Sequence, residues 1–337
     1  MSAEPITRVV PARAEAIAEA ARVLAAGGLV AFPTETVYGL GADATNSTAI
    51  ARLYAAKGRP AFNPLIAHVT NFDAARALAA FDAAAEKLAH AFWPGPLTLV
   101  LRKAPKCPVA ELATAGLDTI AVRVPNHPVA RDILSAFGKA IVAPSANRSG
   151  HVSPTTAAHV LADLRGRVEL IIDGGPTSVG VESTIVACVD GRALLLRPGG
   201  LPRADLERAL GAPLADAPSL RIDAETDAPL APGMLASHYA PHARLRLDAS
   251  DVRSGEALLA FGSKLPRGHE LAKQVLNLAD RGDLVEAAAN LFSHLRTLDA
   301  AGVPTIAVMP VPYDGLGEAI NDRLARAAAP RDSGGHE

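Results

Sequence analysis

Apolar and polar positions alternate along this chain in short blocks, each bounded by glycine, proline or a capping side chain. Residues 12–26 repeat apolar side chains at helical spacing and stop at Gly27-Gly28, which predicts an Ala-rich helix. Leu29 to Phe32 is a continuous apolar run that ends at Pro33. Thr34, Glu35, Thr36, Gly39 and Gly41 follow, so this reads as a buried strand leaving into a polar, ligand-contacting loop. An ordinary strand exit has the same pattern. Asn46 or Ser47 is placed to cap a helix over 48–57, with Gly58 at its end. A strand is predicted over 64–69, and helices over 73–80 and 82–92. Leu97 to Arg102 and Thr119 to Val124 read as strands. Asn126 is the expected cap of a helix with Pro128 in its first turn and Gly138 at its end. Ile141 to Ala143 is a short buried strand, and Ser153-Pro154 is expected to open the next helix. Leu170 to Asp173 exits at Gly174-Gly175. Residues 183–189 and 192–197 flank Asp190-Gly191, a strong hairpin signal, and Pro202 to Leu210 closes the block as a helix.

Periodicity then lapses. Residues 211–232 are rich in Ala, Pro and Asp without an apolar face and read as a linker. Beyond it, 244–247, 257–261, 274–277 and 305–311 read as strands, and 283–300 and 316–329 as amphipathic helices. Their alternating order predicts a parallel sheet in a second, smaller α/β unit. The organisation expected is a first domain over 1–210, a linker over 211–241, a small α/β domain over 242–330 and a disordered tail over 331–337.

Composition narrows the class. Of 337 residues, 49% are hydrophobic and 20% charged, which fits a folded globular chain. No apolar run is long enough to cross a bilayer and the N-terminus lacks an apolar signal core, so a cytoplasmic protein is expected. Two distant cysteines, Cys107 and Cys188, form neither a disulfide framework nor a zinc motif. The net charge of −2 argues against a protein that coats nucleic acid. Residues 1–210 hold 21 Lys+Arg against 18 Asp+Glu, and the remainder 12 against 17, so an anionic ligand is better hosted by the first part.

Several groups could carry chemistry. Lys57 and Arg59 stand where a helix end favours cations, yet a point charge beside a planar fork on a Pro60- and Pro64-stiffened loop also suits phosphate. Asn63 adds an amide. Arg123 lies within an apolar strand and Arg197 at the end of another, so each must pair with a carboxylate such as Glu35 or Glu182 or face a polar cavity. Ser145, Asn147 and Ser183 are either turn formers or contacts for a nucleotide or an ammonium. His68 sits in a strand, where a lone histidine is more often structural. His238 and His242 have metal-ligand spacing only on a helix, which Pro241 opposes. No phosphate-binding Walker loop, nucleophile elbow or paired metal-histidine motif occurs. Such a site binds through scattered cations and hydroxyls, without a protein nucleophile.

Pro33-Thr34-Glu35-Thr36-Val37-Tyr38-Gly39-Leu40, Lys57-x-Arg59-Pro60, Ser145-x-Asn147 and Gly180-Val181-Glu182-Ser183-Thr184, in this order, resemble the two-domain threonylcarbamoyl-AMP synthases of the YrdC-like family. The resemblance is close over residues 10 to 200 and includes the segment Pro232 to Pro241. It implies an α/β fold: a YrdC-like twisted mixed sheet with helices around an open cavity, plus a smaller Rossmann-like C-terminal domain. It implies an enzyme, a nucleotidyltransferase that joins L-threonine, bicarbonate and ATP into threonylcarbamoyl-adenylate and releases pyrophosphate. The product then passes to a separate transferase that modifies adenosine 37 of tRNA. By motif, Thr34, His68, Arg123 and Ser183 are expected to bind threonine. Lys57, Arg59, Asn63, Ser145, Asn147, Ser153 and Arg197 are expected to bind ATP, and Thr119 and Tyr239 are added to that set. Mg²⁺ is expected with the nucleotide, with no metal ligand from the protein. The linker, with Tyr239 as its contact, is expected to close over the site. A non-enzymatic RNA-binding protein and a carbamoyl transferase using carbamoyl-phosphate are the competing readings. The acidic balance and the lack of an aromatic stripe oppose the first. The absence of zinc-finger and acylphosphatase segments opposes the second.

Overall fold

The computed structural model describes residues 5–216 and 239–329. They divide into two compact units: one holds the described residues through Ser149 and from Ser153 to 216, the other Gly150–Val152 and 239–329.

The first unit contains strands β1 (Arg8–Pro11), β2 (Val30–Pro33), β3 (Tyr38–Asp43), β4 (Ile66–His68), β5 (Leu97–Arg102), β6 (Thr119–Arg123), β7 (Ile141–Val142), β8 (Leu170–Asp173), β9 (Thr184–Val189), β10 (Arg192–Arg197) and β11 (Ala215–Asp216). Its helices are α1 (Ala14–Ala25), α2 (Ser47–Lys57), α3 (Phe72–Arg76), α4 (Ala83–Phe92), α5 (Pro128–Phe137), α6 (Ala157–Leu164) and α7 (Arg203–Leu210). The strands form one mixed sheet in the order β1-β8-β2-β3-β7-β4-β6-β5-β9-β10-β11.

Strand alternation decides what each face carries. Leu29 and Ala31, Ala67, Leu97, Leu99 and Leu101, and Ile120 and Val122 share one core with α2, α4, α6 and α7. Their neighbours Val30, Phe32, Ile141 and Ile172 face the other way, into a second core with α1 and α5. Further along the sheet this second face carries only a small apolar cluster, including Ile66, Val100, Ala121 and Ile185. His68, Thr98, Arg123 and Ser183 have the same parity and continue that face. A row of polar groups is thereby buried on the sheet itself.

Several boundaries differ from those the sequence predicts. The run after Pro33 is the turn of an antiparallel hairpin, with Pro33 opposite Tyr38 and Val30 opposite Gly41. Gly39 and Gly41 serve close packing inside β3: a methyl on Gly41 would lie 2.7 Å from Phe32 Cε1, and one on Gly39 3.2 Å from Ala143 Cβ. The helix expected over 73–80 ends at Arg76, because Ala79 bridges Lys103 and the Ala80 amide donates to the Arg102 carbonyl. His127, not Asn126, occupies the cap position of α5, without a side-chain capping bond, and the Asn126 backbone amide donates to Glu35. Ser153 opens no helix. The segment is extended, with the Tyr38 amide donating to the Pro154 carbonyl, and Thr156 caps α6. Residues 217–238 of the expected linker lie outside the described residues, as does the tail from 330. Ala215 and Asp216, expected in the linker, pair in parallel with β10.

The second unit is a parallel sheet of β12 (Arg244–Arg246), β13 (Ala257–Ala260), β14 (Val275–Asn277) and β15 (Thr305–Val308), in the order β12-β15-β13-β14. It packs α8 (Leu284–Ala300), capped by Asp283, and α9 (Gly317–Ala328). Tyr239 is buried in this unit: its ring stacks on Phe292 with centroids 5.5 Å apart, and the guanidinium of the fully buried Arg323 lies 5.2 Å from its centroid.

Candidate functional site

Two polar clusters flank β3 in the first unit. One lies on the sheet face just described. Register sets His68 opposite Arg123 and Thr98 opposite Arg123 on its other side, so three polar residues stand in line across β4, β6 and β5. The Thr98 and Ser183 hydroxyls are 2.7 Å apart, which carries the line to the start of β9. Arg197 donates to the Ser183 carbonyl at 2.9 Å and to its hydroxyl at 3.3 Å.

The β2–β3 turn supplies the rest of this cluster. Thr34 Oγ1 donates to the Val37 carbonyl at 2.7 Å, lies 2.8 Å from Thr36 Oγ1, and accepts the Thr36 and Val37 amides. That local wheel of bonds fixes the turn. Arg123 Nη1 donates to Thr36 Oγ1 at 3.0 Å, and its Nη2 lies 2.7 Å from Glu35 Oε1. Both charged side chains are over nine-tenths buried, and the second carboxylate oxygen takes the Asn126 amide at 3.0 Å. Of the carboxylates considered for Arg123, Glu35 is the partner. A buried pair of this kind avoids the cost of an unmatched charge and leaves the guanidinium fixed in place. Burial, reinforced by the Arg123 charge, pushes the His68 imidazole down to about 3, so it is neutral at physiological pH.

The second cluster lies where α2 ends. Gly58 turns left-handed at φ 61° and sends the chain into the Arg59–Pro64 loop. Lys57 Nζ donates to the carbonyls of Ser145 and Asn147, each at 2.5 Å. Those carbonyls are presented because the segment runs along β3: the Leu40 amide bonds the Pro144 carbonyl and the Ala146 amide bonds that of Tyr38. Arg59 donates to the carbonyls of Asn63 at 3.3 Å and Pro64 at 3.0 Å, and the Tyr54 hydroxyl reinforces the first at 3.0 Å. Burial, then the neighbouring Arg59, holds the Lys57 ammonium well below the usual lysine range. Asn63 Oδ1 is buried without a hydrogen-bond partner. Two cations held this way suit an anionic ligand, and the Asn63 oxygen beside them would accept from a donor such as a hydroxyl or amino group. Ser153 Oγ donates to Glu182 Oε1 at 2.5 Å, tying this segment to the Gly180–Thr184 run.

Most expected site residues therefore gather around β3, but in different company. Arg197, expected with the nucleotide set, stands on Ser183 with the first cluster. Thr119 is not brought in: it opens β6 opposite Arg102, four residues and about 13 Å from Arg123. Tyr239 belongs to the second unit and its ring is spent on Phe292 and Arg323. Thr98 and Asn126, absent from the motifs, join the contacts of the first cluster, and Glu35 and Thr36, quoted in the first motif without a binding role, tie Arg123 to the β2–β3 turn. The strand pattern could have found Thr98, the one hydroxyl within the apolar run of β5. Among the described residues no group of three or more His, Cys, Asp and Glu could hold a metal ion, and no helix is long and apolar enough to cross a membrane.

Residues 22–199 match the Sua5/YciO/YrdC family model, which carries the description telomere recombination. Residues 201–329 match the threonylcarbamoyl-AMP synthase C-terminal domain. The chain is 43% identical to the threonylcarbamoyl-AMP synthase of Pyrococcus abyssi, over 93% of this chain and 94% of that one. With its Bacillus subtilis counterpart the identity is 40%, over 94% and 93%. A putative threonylcarbamoyl-AMP synthase of Mycobacterium tuberculosis is 38% identical, over 62% of this chain and 94% of that one. The crystal structure of P. abyssi Sua5 complexed with L-threonine superposes with a TM-score of 0.85 at 41% identity, covering 96% of this chain and 97% of that one. The chain belongs to the Sua5/YciO/YrdC family, in its two-domain form.

Proposed function

We propose that the reaction performed by this member of the family is the condensation of L-threonine, bicarbonate and ATP to threonylcarbamoyl-adenylate, with release of pyrophosphate. The observation that carries this reading is full-length likeness to chains named for the product, in a protein whose buried cations and hydroxyls gather beside β3, with no activated nucleophile among the described residues. The direct attack of one bound substrate on another needs just such a site.

The polar row on the sheet suits threonine. Arg123, held by Glu35, offers a fixed cation to the carboxylate, and the Thr34 and Ser183 hydroxyls offer partners to the amino and hydroxyl groups. A neutral His68 beside Arg123 adds hydrogen-bonding capacity without competing charge. The Lys57, Arg59 and Asn63 cluster, with Ser145, Asn147 and Ser153, suits ATP. Three anionic reactants in one low-dielectric pocket repel by several kcal/mol unless cations intervene. The protein supplies those cations and no carboxylate cluster: Glu35 and Glu182 are engaged with Arg123, Asn126 and Ser153. Magnesium accordingly enters as part of the MgATP substrate. The carbamate forms first and its oxygen then attacks the α-phosphate, which makes the protein a nucleotidyltransferase. We place it in the cytoplasm, with a tRNA threonylcarbamoyl transferase acting on adenosine 37 as recipient of the product.

Pyrophosphate release from ATP, measured with threonine and bicarbonate each omitted in turn, tests the reading. Release that requires both supports it. Release independent of either, or none despite bound ATP, overturns it.

A further inference from the structure

We propose that His127 is a catalytic residue of this reaction, the group that takes the proton from the threonine ammonium so that the amine can attack bicarbonate. The inference rests on the function proposed above and adds a base to it.

The chemistry demands such a group. At neutral pH an α-amino group is largely protonated, and an ammonium has no lone pair. The balanced step is R–NH₃⁺ + HCO₃⁻ → R–NH–COO⁻ + H₂O + H⁺. A C–N bond forms, a C–O bond breaks, the departing oxygen leaves as water, and one proton must be carried away. Three of the four other candidate bases in the two clusters are engaged, and the fourth is both engaged and too weak. Lys57 Nζ is turned to the carbonyls of Ser145 and Asn147. Glu35 places one oxygen on Arg123 and the other on the Asn126 amide. Glu182 accepts from Ser153. His68 bonds the Ile66 backbone and, at about 3, is too weak a base to remove the proton at neutral pH.

His127 differs from all four. Its Nδ1 is buried and has no hydrogen-bond partner. As the cap residue of α5 it makes no side-chain capping bond, although that is the ordinary reason for a polar side chain at this position. Its ring lies against Gly174: a methyl there would sit 3.5 Å from His127 Cε1 and 2.8 Å from Pro33 Cγ. The imidazole is thus set beside the residue that precedes Thr34, directly after Asn126, whose amide holds Glu35. The tight neighbours of such a methyl are Pro33 and Val129, so glycine at 174 keeps the β2 end and α5 close together. An unpartnered buried nitrogen costs about 1–3 kcal/mol, and a substrate ammonium donating to it removes that cost.

The charged groups around it set its state. Burial lowers its proton affinity further than Glu35 on the β2–β3 turn raises it, which favours the neutral ring, and the step uses the tautomer with its proton on Nε2 and its lone pair on Nδ1. Arg123 on β6 is neutralised by Glu35. Asp173, ahead of Gly174 on β8, has its carboxylate on the Gly175 amide, and the Tyr38 hydroxyl, at about 12, stays protonated. His127 is only half-buried, so the accepted proton can pass on to water.

The test is the pH dependence of threonine- and bicarbonate-dependent pyrophosphate release by the full chain and its His127→Gln and His127→Ala variants. Threonine affinity and thermal unfolding are measured alongside. The wild-type rate should be on a plateau at neutral pH. Each variant should fold and, at saturating threonine, lose about 10²-fold or more in kcat near neutral pH. The deficit should shrink toward alkaline pH as the ammonium ionises unaided, and added imidazole should raise the rate of His127→Ala. A deficit that is the same at every pH, a variant with wild-type kcat, or a loss confined to threonine affinity each overturns the assignment. Wild-type protein without threonine-dependent release overturns the function itself, whereas an active wild type beside a fully active His127→Gln overturns only the role of His127.

Discussion

At Arg59 the planar fork does two jobs. It spans the carbonyls of Asn63 and Pro64, which shapes the loop, and it remains as a buried positive charge beside Lys57. Arg59→Ala is expected to weaken ATP use by about 2–5 kcal/mol, because a phosphate oxygen loses a charge-assisted partner in a desolvated place. Arg59→Lys restores the charge but not the fork, so it should recover only part of the loss. ATP titrations with both variants, with circular dichroism to check the fold, decide this; wild-type affinity in Arg59→Ala would leave the residue as a helix-end cation only. His68 gives a prediction about pH. Its folded-state pKa of about 3 lies below the unfolded value of about 6.5, so the unfolded chain takes up a proton that the folded one excludes. Its contribution to stability is therefore complete above about pH 6.5 and lost toward pH 3, at about 1.4 kcal/mol per unit. Urea unfolding across that range should show this slope, and His68→Gln should flatten it; equal slopes in both proteins would contradict it.

The elements teach that close approach, more than propensity, fixes the boundaries around the site. Gly199 follows β10, and a methyl there would lie 2.4 Å from the Glu182 carbonyl oxygen and 2.5 Å from the backbone of Ser183 and Thr184. Backbone cannot step aside as a side-chain tip can. Gly199→Ala is expected to cost about 1–3 kcal/mol and to move the start of β9. That shift should disturb the Ser183 contacts with Thr98 and Arg197, lowering threonine affinity while ATP affinity holds. Calorimetry with each ligand checks it, and unchanged threonine binding would show that the strand absorbs the methyl elsewhere. The same logic explains what the sequence could and could not reveal. α2 was legible from Asn46 and Gly58, and the β9–β10 hairpin from Asp190-Gly191, because each signal is local. β3 was hidden because Gly39 and Gly41 look like loop glycines until Ala143 and Phe32 are seen against them. The helix start at Ser153 failed because Glu182, far along the chain, takes the Ser153 hydroxyl, while at Asn126 Glu35 takes the backbone amide and the helix begins one residue later than expected. Motif residues disclosed most of the cations and hydroxyls that the structure gathers into the two clusters. Nothing local marked His127, which reads as the entry to a proline-started helix.

Across the whole molecule, every residue of the two clusters lies in the first unit, and that unit has its own cores on both faces of its sheet. The second unit closes a separate parallel sheet over α8 and α9, and Tyr239 and Arg323 are packed within it. Residues 1–210 also carry a positive balance of charge and the rest of the chain a negative one, which agrees with anionic substrates being held by the first part. A relative of only about the first unit's length, matched over 94% of its own chain, shares 38% identity with it. A fragment of residues 1–216 should therefore fold on its own, with a single cooperative transition, and bind threonine as the full chain does. Threonine at a hundredfold excess over its Kd should stabilise that fragment by about 2.7 kcal/mol, as it should the intact protein. Thermal unfolding of the fragment with and without threonine measures both. A fragment that folds but gains nothing from threonine would mean that residues beyond 216 complete the threonine site, and Tyr239 would then be the first side chain to replace. A fragment that gains as much as the full chain would locate threonine recognition wholly within the sheet that carries His68, Arg123 and Ser183.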